Sequence, residues 1–345
     1  MKKIVLKTCL TSLFLSMSAL AAANQTFTVP STADNFYPKH SAIAGAALSV
    51  AAGSCIEKDV AAQAAVTIGA NATANHLYAG AAATVGADSA VKNIYAGAAA
   101  GVAANATAEN IYAGAAVTLG APSDAHDIGA GAAITLGAGS TAYDVHSGAA
   151  TTGATVRLVD TTTGDIITLS GNVDSLGDID EVTELFPFDM QVALGKITTA
   201  QNALNLVGTS DITPGDITDA NEYVLGTYMG SATETTELAG GVYEASALNM
   251  PADATIVFTG NAIINLSDAL TLGANTTIDD GGYIVIWNVG GALNLGAGTN
   301  FAGTAFVNGS ISGATSDVQA GGHLYAHGAV AIGSISRGNT STNCL

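Results

Sequence analysis

Residues able to do chemistry are few in this chain, and their spacing suits little of it. The densest set is acidic: Asp178, Asp180, Glu181, Glu184 and Asp189 lie in a stretch, 158–189, rich in Asp and Thr. Glycoside or lyase chemistry needs carboxylates set against a basic partner on neighbouring strands. No Lys, Arg or His falls within 178–189. Asp279 and Asp280 are adjacent, so on a strand they would face opposite ways, and they read as a turn. His323 and His327 would lie about 13 Å apart on a strand at roughly 3.3 Å per residue. That is too far to share a zinc ion, whose bonds to nitrogen are about 2.0–2.1 Å, so they read as exposed polar residues. Acidity permits calcium, but no loop has the EF-hand order or the Gly-Gly-x-Gly-x-Asp repeat. The expectation is a protein that is not an enzyme and needs no cofactor.

A different chemistry is written in columns of small residues. Thr67, Thr84, Gly101, Thr118, Thr135 and Thr152 recur at one position of a repeating unit, with Ala65, Ala82, Ala99, Ala116 and Ala133 two places earlier. Overlaying later units continues the first column as Thr271, Asn294, Ser312 and Ala331, and the second as Ala292, Ser310 and Ala329. On a rigid support these would form a flat strip of methyl and hydroxyl groups. Ice offers no charge to grip, and a plane that orders water at lattice-like intervals can hold it where long charged side chains would not. The same column also has a purely structural reading, because Thr favours strands and stacked Thr ladders stabilise sheets without a ligand. Tyr78, Tyr95 and Tyr112 form another outward column, continued by Gly129 and His146; it could bind sugars or a protein surface, or simply cover a coil edge. Asn93, Asn110, Asp127 and Asp144 form a third, read as turn residues that satisfy backbone groups.

The support is a seventeen-residue repeat over Leu77–Gly153. Gly80, Gly97, Gly114, Gly131 and Gly148 keep that interval, as do Leu77, Ile94, Ile111, Ile128 and Val145. The interval is too short for helical arrays and fits one coil of a β-solenoid, whose rungs hydrogen-bond to one another around a shared core. Strand alternation points Leu77, Ala79, Ala81, Ala83 and Val85 inward and Tyr78, Gly80, Ala82 and Thr84 outward. The fold class is all-β, a β-helix.

The rest of the chain is read around that repeat. Lys2, Lys3 and Lys7 before an apolar Cys9–Met17 and an Ala-x-Ala cleavage site make residues 1–23 a signal peptide, too short to be a membrane span. The full chain carries 9 Lys and Arg against 28 Asp and Glu, net −19, and loss of the three leader lysines takes it to −22. That excludes nucleic acid and anionic membrane as partners. Cys55 and Cys344 remain after the leader; export would let them pair, the alternative being free or intermolecular thiols. Residues 24–40 read as an extended lead-in, 41–157 as repetitive coils, and 158–237 as an acidic insertion with a helix over about 189–207. That helix follows from Ala193, Ile197, Ala200, Leu204 and Val207 on one stripe, and it should pack along several rungs. Residues 238–345 return to coils, with strands at 254–259, 270–272, 283–289, 293–295, 304–307 and 324–326. The unit Ala113-Gly-Ala-Ala-Val-Thr-Leu-Gly120 overlays Val289-Gly-Gly-Ala-Leu-Asn-Leu-Gly296, so one solenoid domain is more economical than two.

Several carboxyl-terminal stretches also resemble a known family. Ala200-Gln-Asn-Ala-Leu204, Leu238-Ala-Gly-Gly-Val-Tyr243, Tyr283-Ile-Val-Ile-Trp-Asn-Val289, Leu293-Asn-Leu-Gly-Ala-Gly-Thr-Asn-Phe301 and Gly322-His-Leu-Tyr-Ala-His-Gly-Ala-Val330 make residues 190–336 similar to the DUF3494 ice-binding proteins. The resemblance implies a right-handed, discontinuous β-helix with a long helix alongside, secreted by a cold-adapted microbe. The amino half departs from the family, which usually opens with non-repetitive coils. Column and resemblance together give the functional expectation: a secreted protein that adsorbs to ice through Thr67, Thr84, Thr118, Thr135, Thr152, Thr271, Asn294, Ser312, Ala116, Ala133 and Ser310. The alternative is an extracellular structural or adhesive solenoid, its partner another copy of itself or cell-surface material.

Overall fold

The computed structural model describes residues 40–149, 151–159, 166–173, 190–205, 210–211, 235–313, 319–321 and 323–333. The leader, most of the lead-in, Cys344 and the acidic group at 178–189 lie outside the described residues; Cys55 is disulfide-bonded. Nearly every described element is a short parallel strand, 28 of them in one sheet and 5 in another. Each coil contributes to up to three ladders. The first contains Asp59–Ala62, Ala262–Leu266 and Val285–Val289, and the second Val66–Ile68, Ala83–Val85 and Leu270–Leu272. The third contains Cys55–Ile56 in the amino half and Thr255–Phe258 in the carboxyl half. In the regular coils one strand, such as Thr73–Ala79, serves both the third ladder and the first.

The order of the coils along the axis is not the order of the chain. The last coil lies on the first: Ala42, Ile43 and Ala44 pair with Leu324, Tyr325 and Ala326, and Leu48, Ser49 and Val50 with Val330, Ala331 and Ile332. Val330 N donates to Ala47 O at 2.9 Å and Gly45 N to Ala326 O at 2.8 Å, so the junction is bonded like any other rung. Twelve rungs result, running from Leu248–Met250 through the carboxyl-terminal coils, across the junction, and out to Thr152. His40, read from sequence as lead-in, opens the strand His40–Ala44 at this junction.

Glycine sets the corners. A Cβ on Gly97, Gly114 or Gly131 would run into the carbonyl oxygen of Gly80, Gly97 or Gly114 on the rung before, so the repeat keeps glycine where backbones approach most closely. The corner displaces one inward assignment: Ala81 is only half-buried, because the chain bends there, whereas Leu77, Ala79, Ala83 and Val85 are inside. At the next corner Asn71, Asp88 and Asn105 take the left-handed conformation that short polar side chains tolerate.

Core volume follows coil length. The seventeen-residue coils enclose Ala, Val, Ile and Leu. The longer coils, whose equivalent residues Leu248, Leu270 and Leu293 stand 22 and 23 apart, enclose Phe258, Trp287 and Phe301. Trp287 meets Phe258 edge-on at 5.8 Å and its Nε1 donates to Ala302 O. One apolar cluster runs through both halves, at roughly 1.5–3 kcal/mol for each large side chain buried.

The helix Met190–Asn205 lies across the outer side of the first ladder. Its buried stripe, Met190, Ala193, Ile197, Ala200 and Leu204, packs on Ile263, Ile286, Phe306, Tyr325, Ile43, Ala61 and Tyr78. At its carboxyl end the Asn265 amide donates to Leu204 O, and the Asn288 amide bridges Asn205 and Asn265. Two buried asparagines thus take up backbone and side-chain acceptors that a helix end leaves open.

Candidate functional site

The register gathers the predicted columns. Thr67 stands opposite Thr84, Thr84 opposite Gly101, Gly101 opposite Thr118, Thr118 opposite Thr135 and Thr135 opposite Thr152. Asn249, Thr271, Asn294, Ser312 and Ala331 stand in the same line, and Ser49 joins the two sets between Ala331 and Thr67. Neighbouring rungs of a parallel sheet are about 4.8 Å apart. The Ala column is equally regular, since the backbone N following each member donates to the next. Val66 N bonds Ala82 O, Ala83 N Ala99 O, Ala100 N Ala116 O and Val117 N Ala133 O, while Leu293 N bonds Ser310 O.

Ser49, Ala47, Asn249 and Ala269 were missed from sequence. Ser49 had a signal, since it follows Gly45 by the same four residues that separate Thr84 from Gly80. Asn249 and Ala269 had none within the seventeen-residue unit, because their coils are longer.

Side-chain bonding divides the strip in two. In the carboxyl half the Asn294 amide donates to Thr271 Oγ1 at 3.3 Å and Ser312 Oγ donates to Asn294 Oδ1 at 2.9 Å, a ladder closed on itself. In the amino half Thr67, Thr84 and Thr118 are exposed, and their hydroxyls make no hydrogen bond among the described residues. Thr67, Thr84, Thr118 and Thr135 alternate with buried Val66, Ile68, Ala83, Val85, Val117, Leu119, Ile134 and Leu136, which pins each outward side chain to the core.

The other two ladders present different surfaces. The first is covered by the helix, and the tyrosine column emerges from beneath it: Tyr78 is buried, Tyr95 and Tyr112 half-buried. Tyr78 stacks on Tyr95 at 5.1 Å and Tyr95 on Tyr112 at 5.6 Å. Rings stacked face to face leave edges outward, which makes the column a cover for coil edges rather than a platform for sugars. Burial, then the nearby Asp59 carboxylate and Tyr95, pushes the Tyr78 hydroxyl well above its ordinary value; burial chiefly raises Tyr95 and Tyr112 too. The third ladder bears Lys92, Glu109, Asp124, His126 and Tyr143 in the amino half, with Glu237 and Asp279 in the carboxyl half, all exposed. Among the described residues the second ladder alone has no charged outward side chain.

The remaining candidates resolve as structure. Asn93, Asn110, Asp127 and Asp144 pair in register along strands rather than in turns, and the Asn110 side chain sits between Asn93 and Asp127. Asp279 and Asp280 accept from Gly281 N and Gly282 N, closing a turn. His323 and His327, read as exposed, are half-buried and partnered: His323 Nδ1 lies 2.7 Å from His40 O, and His327 Nε2 3.3 Å from Thr198 Oγ1. The described residues contain no group of three metal-ligating side chains and no helix long and apolar enough to cross a membrane.

With this geometry in hand, comparison with solved structures finds a similarity to the crystal structure of an ice binding protein from an Antarctic bacterium, Flavobacteriaceae. The two are 13% identical, with 88% of this chain and 98% of that one covered and a TM-score of 0.31. No family model and no curated protein matches the chain. Of the carboxyl-terminal stretches singled out in the sequence, Trp287 is core, Ala200 and Leu204 face the barrel, and Asn294 lies on the strip.

Proposed function

We propose that this chain is an exported ice-binding protein of the DUF3494 kind, acting by adsorption of the second ladder's outer surface to ice, without catalysis or cofactor. The observation that carries this reading is the contrast among surfaces. A twelve-rung line of small uncharged residues runs unbroken across the junction of the two halves, while charge and bulk are confined elsewhere. From Asn249 to Asn294 and from Ala331 to Thr135 each outward residue is flanked by buried neighbours on both sides, so the plane is stiff before it meets a surface. Water held over methyl groups and anchored by hydroxyls then needs little further ordering, which lowers the cost of adsorption.

The rival reading is a filament or matrix protein built by end-to-end stacking. Parallel rungs give way at one end to an antiparallel hairpin, Thr151–Val159 with Ile166–Val173, and at the other Ser210–Asp211 pairs onto Gly241–Ala245. The hairpin interrupts the regular coil that stacking would extend, whereas Ser210–Asp211 adds only a short parallel strand at its end.

The deciding experiment is ice-affinity partitioning of the leader-free protein with Thr118→Tyr beside it. The unaltered protein should enter a slowly grown ice fraction, and the variant, with unchanged circular dichroism, should stay in the liquid. Equal exclusion of both proteins from ice would reject the reading.

A further inference from the structure

A concave surface lies beside the helix, lined by residues outside the Thr column. The groove, about 560 Å³, runs between the helix and the corner joining the first and second ladders. One wall is Thr198, Gln201, Asn202 and Asn205; the other is the corner column Ser267, Gly290, Asn308 and His327 on four successive rungs. Four rungs span about 14 Å at roughly 4.8 Å each. Gly290 leaves the middle of that wall without a side chain.

The lining is polar and uncharged. No Lys, Arg, Asp or Glu faces the groove, and burial holds His327 below the ordinary histidine value, so it is neutral at pH 7. Phosphate and carboxylate ligands would find no cation, and metal ions no carboxylate. Leu266 is the one large apolar side chain in the lining, too little for a lipid or an apolar helix. Amides and hydroxyls that both donate and accept are what remain.

Gln201 is the decisive residue. It is only 8% exposed and lines the groove, yet its amide has no hydrogen bond among the described residues. That amide is reached from the groove rather than sealed in the core, whereas its neighbours Asn265 and Asn288 are bonded to the helix end. We propose that this groove binds a neutral polyhydroxylated ligand, one or two units of an uncharged glycan, with the Gln201 amide bonded to a sugar hydroxyl. Hydroxyl groups supply donor and acceptor together, so they satisfy either end of that amide. The chain's own acidity disfavours acidic polysaccharides. No residue of the Thr column lines the groove, so its occupation can be tested separately from adsorption to ice.

The test is calorimetric titration of the leader-free full chain with glucose hexasaccharides of α-1,4, β-1,4 and β-1,3 linkage, with an alginate oligomer as the anionic control. At least one neutral hexasaccharide should bind at millimolar or tighter dissociation constant. Gln201→Met, which keeps the volume, should weaken it by about tenfold, the loss of one hydrogen bond to a buried group. Asn308→Trp, at an exposed corner, should block the groove without touching the core. Ice partitioning of both variants should be unchanged. Absence of binding by all three neutral ligands, preference for alginate, or equal binding by both variants would overturn the proposal.

Discussion

The sharpest quantitative consequence of the coil geometry concerns two glycines thirteen residues apart. Gly101 occupies the outward column between Thr84 and Thr118, and a Cβ built there meets nothing within 4 Å. Gly101→Thr should therefore stabilise the protein. Removing a glycine from a strand gains about 0.5–1 kcal/mol in chain entropy, and two new Thr–Thr contacts add about 0.2–1 kcal/mol each. The sum, about 1–3 kcal/mol, corresponds to a rise in Tm of roughly 1–5 °C for a chain of this size. Gly114→Ala adds two fewer heavy atoms but should act in the opposite direction. Its Cβ is aimed at the Gly97 carbonyl, and Gly114 N is already bonded to Ala96 O at 2.9 Å. The rungs cannot separate there without stretching that bond and the next, Ala115 N to Ala98 O. Forced overpacking of this kind costs about 1–3 kcal/mol. Thermal unfolding followed by circular dichroism, with both variants and the parent in one buffer, reads the difference. A destabilised Gly101→Thr, or a Gly114→Ala as stable as the parent, would refute the assignment of corner and strip.

Other consequences are open to direct measurement. Because burial raises the Tyr78 hydroxyl above its unfolded value, the unfolded chain loses that proton first; stability should fall as pH rises above about 10. Tyr78→Phe should reduce that alkaline slope, as read by denaturant midpoints on either side of the transition. Asn288→Leu strands the buried Asn265 acceptor and frees Asn205 at the helix end, and should destabilise by about 1–3 kcal/mol, with earlier hydrogen exchange in Met190–Asn205 than in the rungs. Excising one seventeen-residue unit, 98–114, should leave a folded protein with one rung fewer, since each coil contacts only its neighbours. Removing 319–345 should instead uncover both sides of the junction, and limited proteolysis should separate the two outcomes.

Much of this architecture is legible in the sequence because the signals are local. The strands Leu270–Leu272, Leu293–Leu295, Thr304–Val307 and Leu324–Ala326 fall where alternation and glycine turns place them, and the helix Met190–Asn205 falls within its expected span, whose first residue and last two lie outside the described residues. The seating of the last coil on the first is illegible, since pairing between opposite ends of a chain leaves no periodic trace. The early units also slip from seventeen residues to eighteen, which hides Ser49. Alternation fails at Ala81 for a related reason: it describes a straight strand and says nothing of a corner. The burial of the histidines is illegible because His327 faces a helix that sequence spacing alone cannot bring against it, and His323 faces His40 from the far end of the chain.

The two halves of the strip should not contribute equally to the proposed adsorption. A hydroxyl already bonded within the protein has less to offer an ordered water, and Thr271, Asn294 and Ser312 form such a chain. Thr67, Thr84 and Thr118 keep both donor and acceptor for water, while their methyl groups lie at regular intervals between. Branching at Cβ also restricts the Thr side chain on a strand, so little entropy is lost on contact. Ser312→Tyr and Thr118→Tyr place the same obstruction on the two halves at exposed positions. Thr118→Tyr should remove most ice recrystallisation inhibition, and Ser312→Tyr should leave a substantial part of it. Equal loss would mean that the plane works as one undivided surface; a larger loss from Ser312→Tyr would show that bonded hydroxyls, held more rigidly, order water better than free ones.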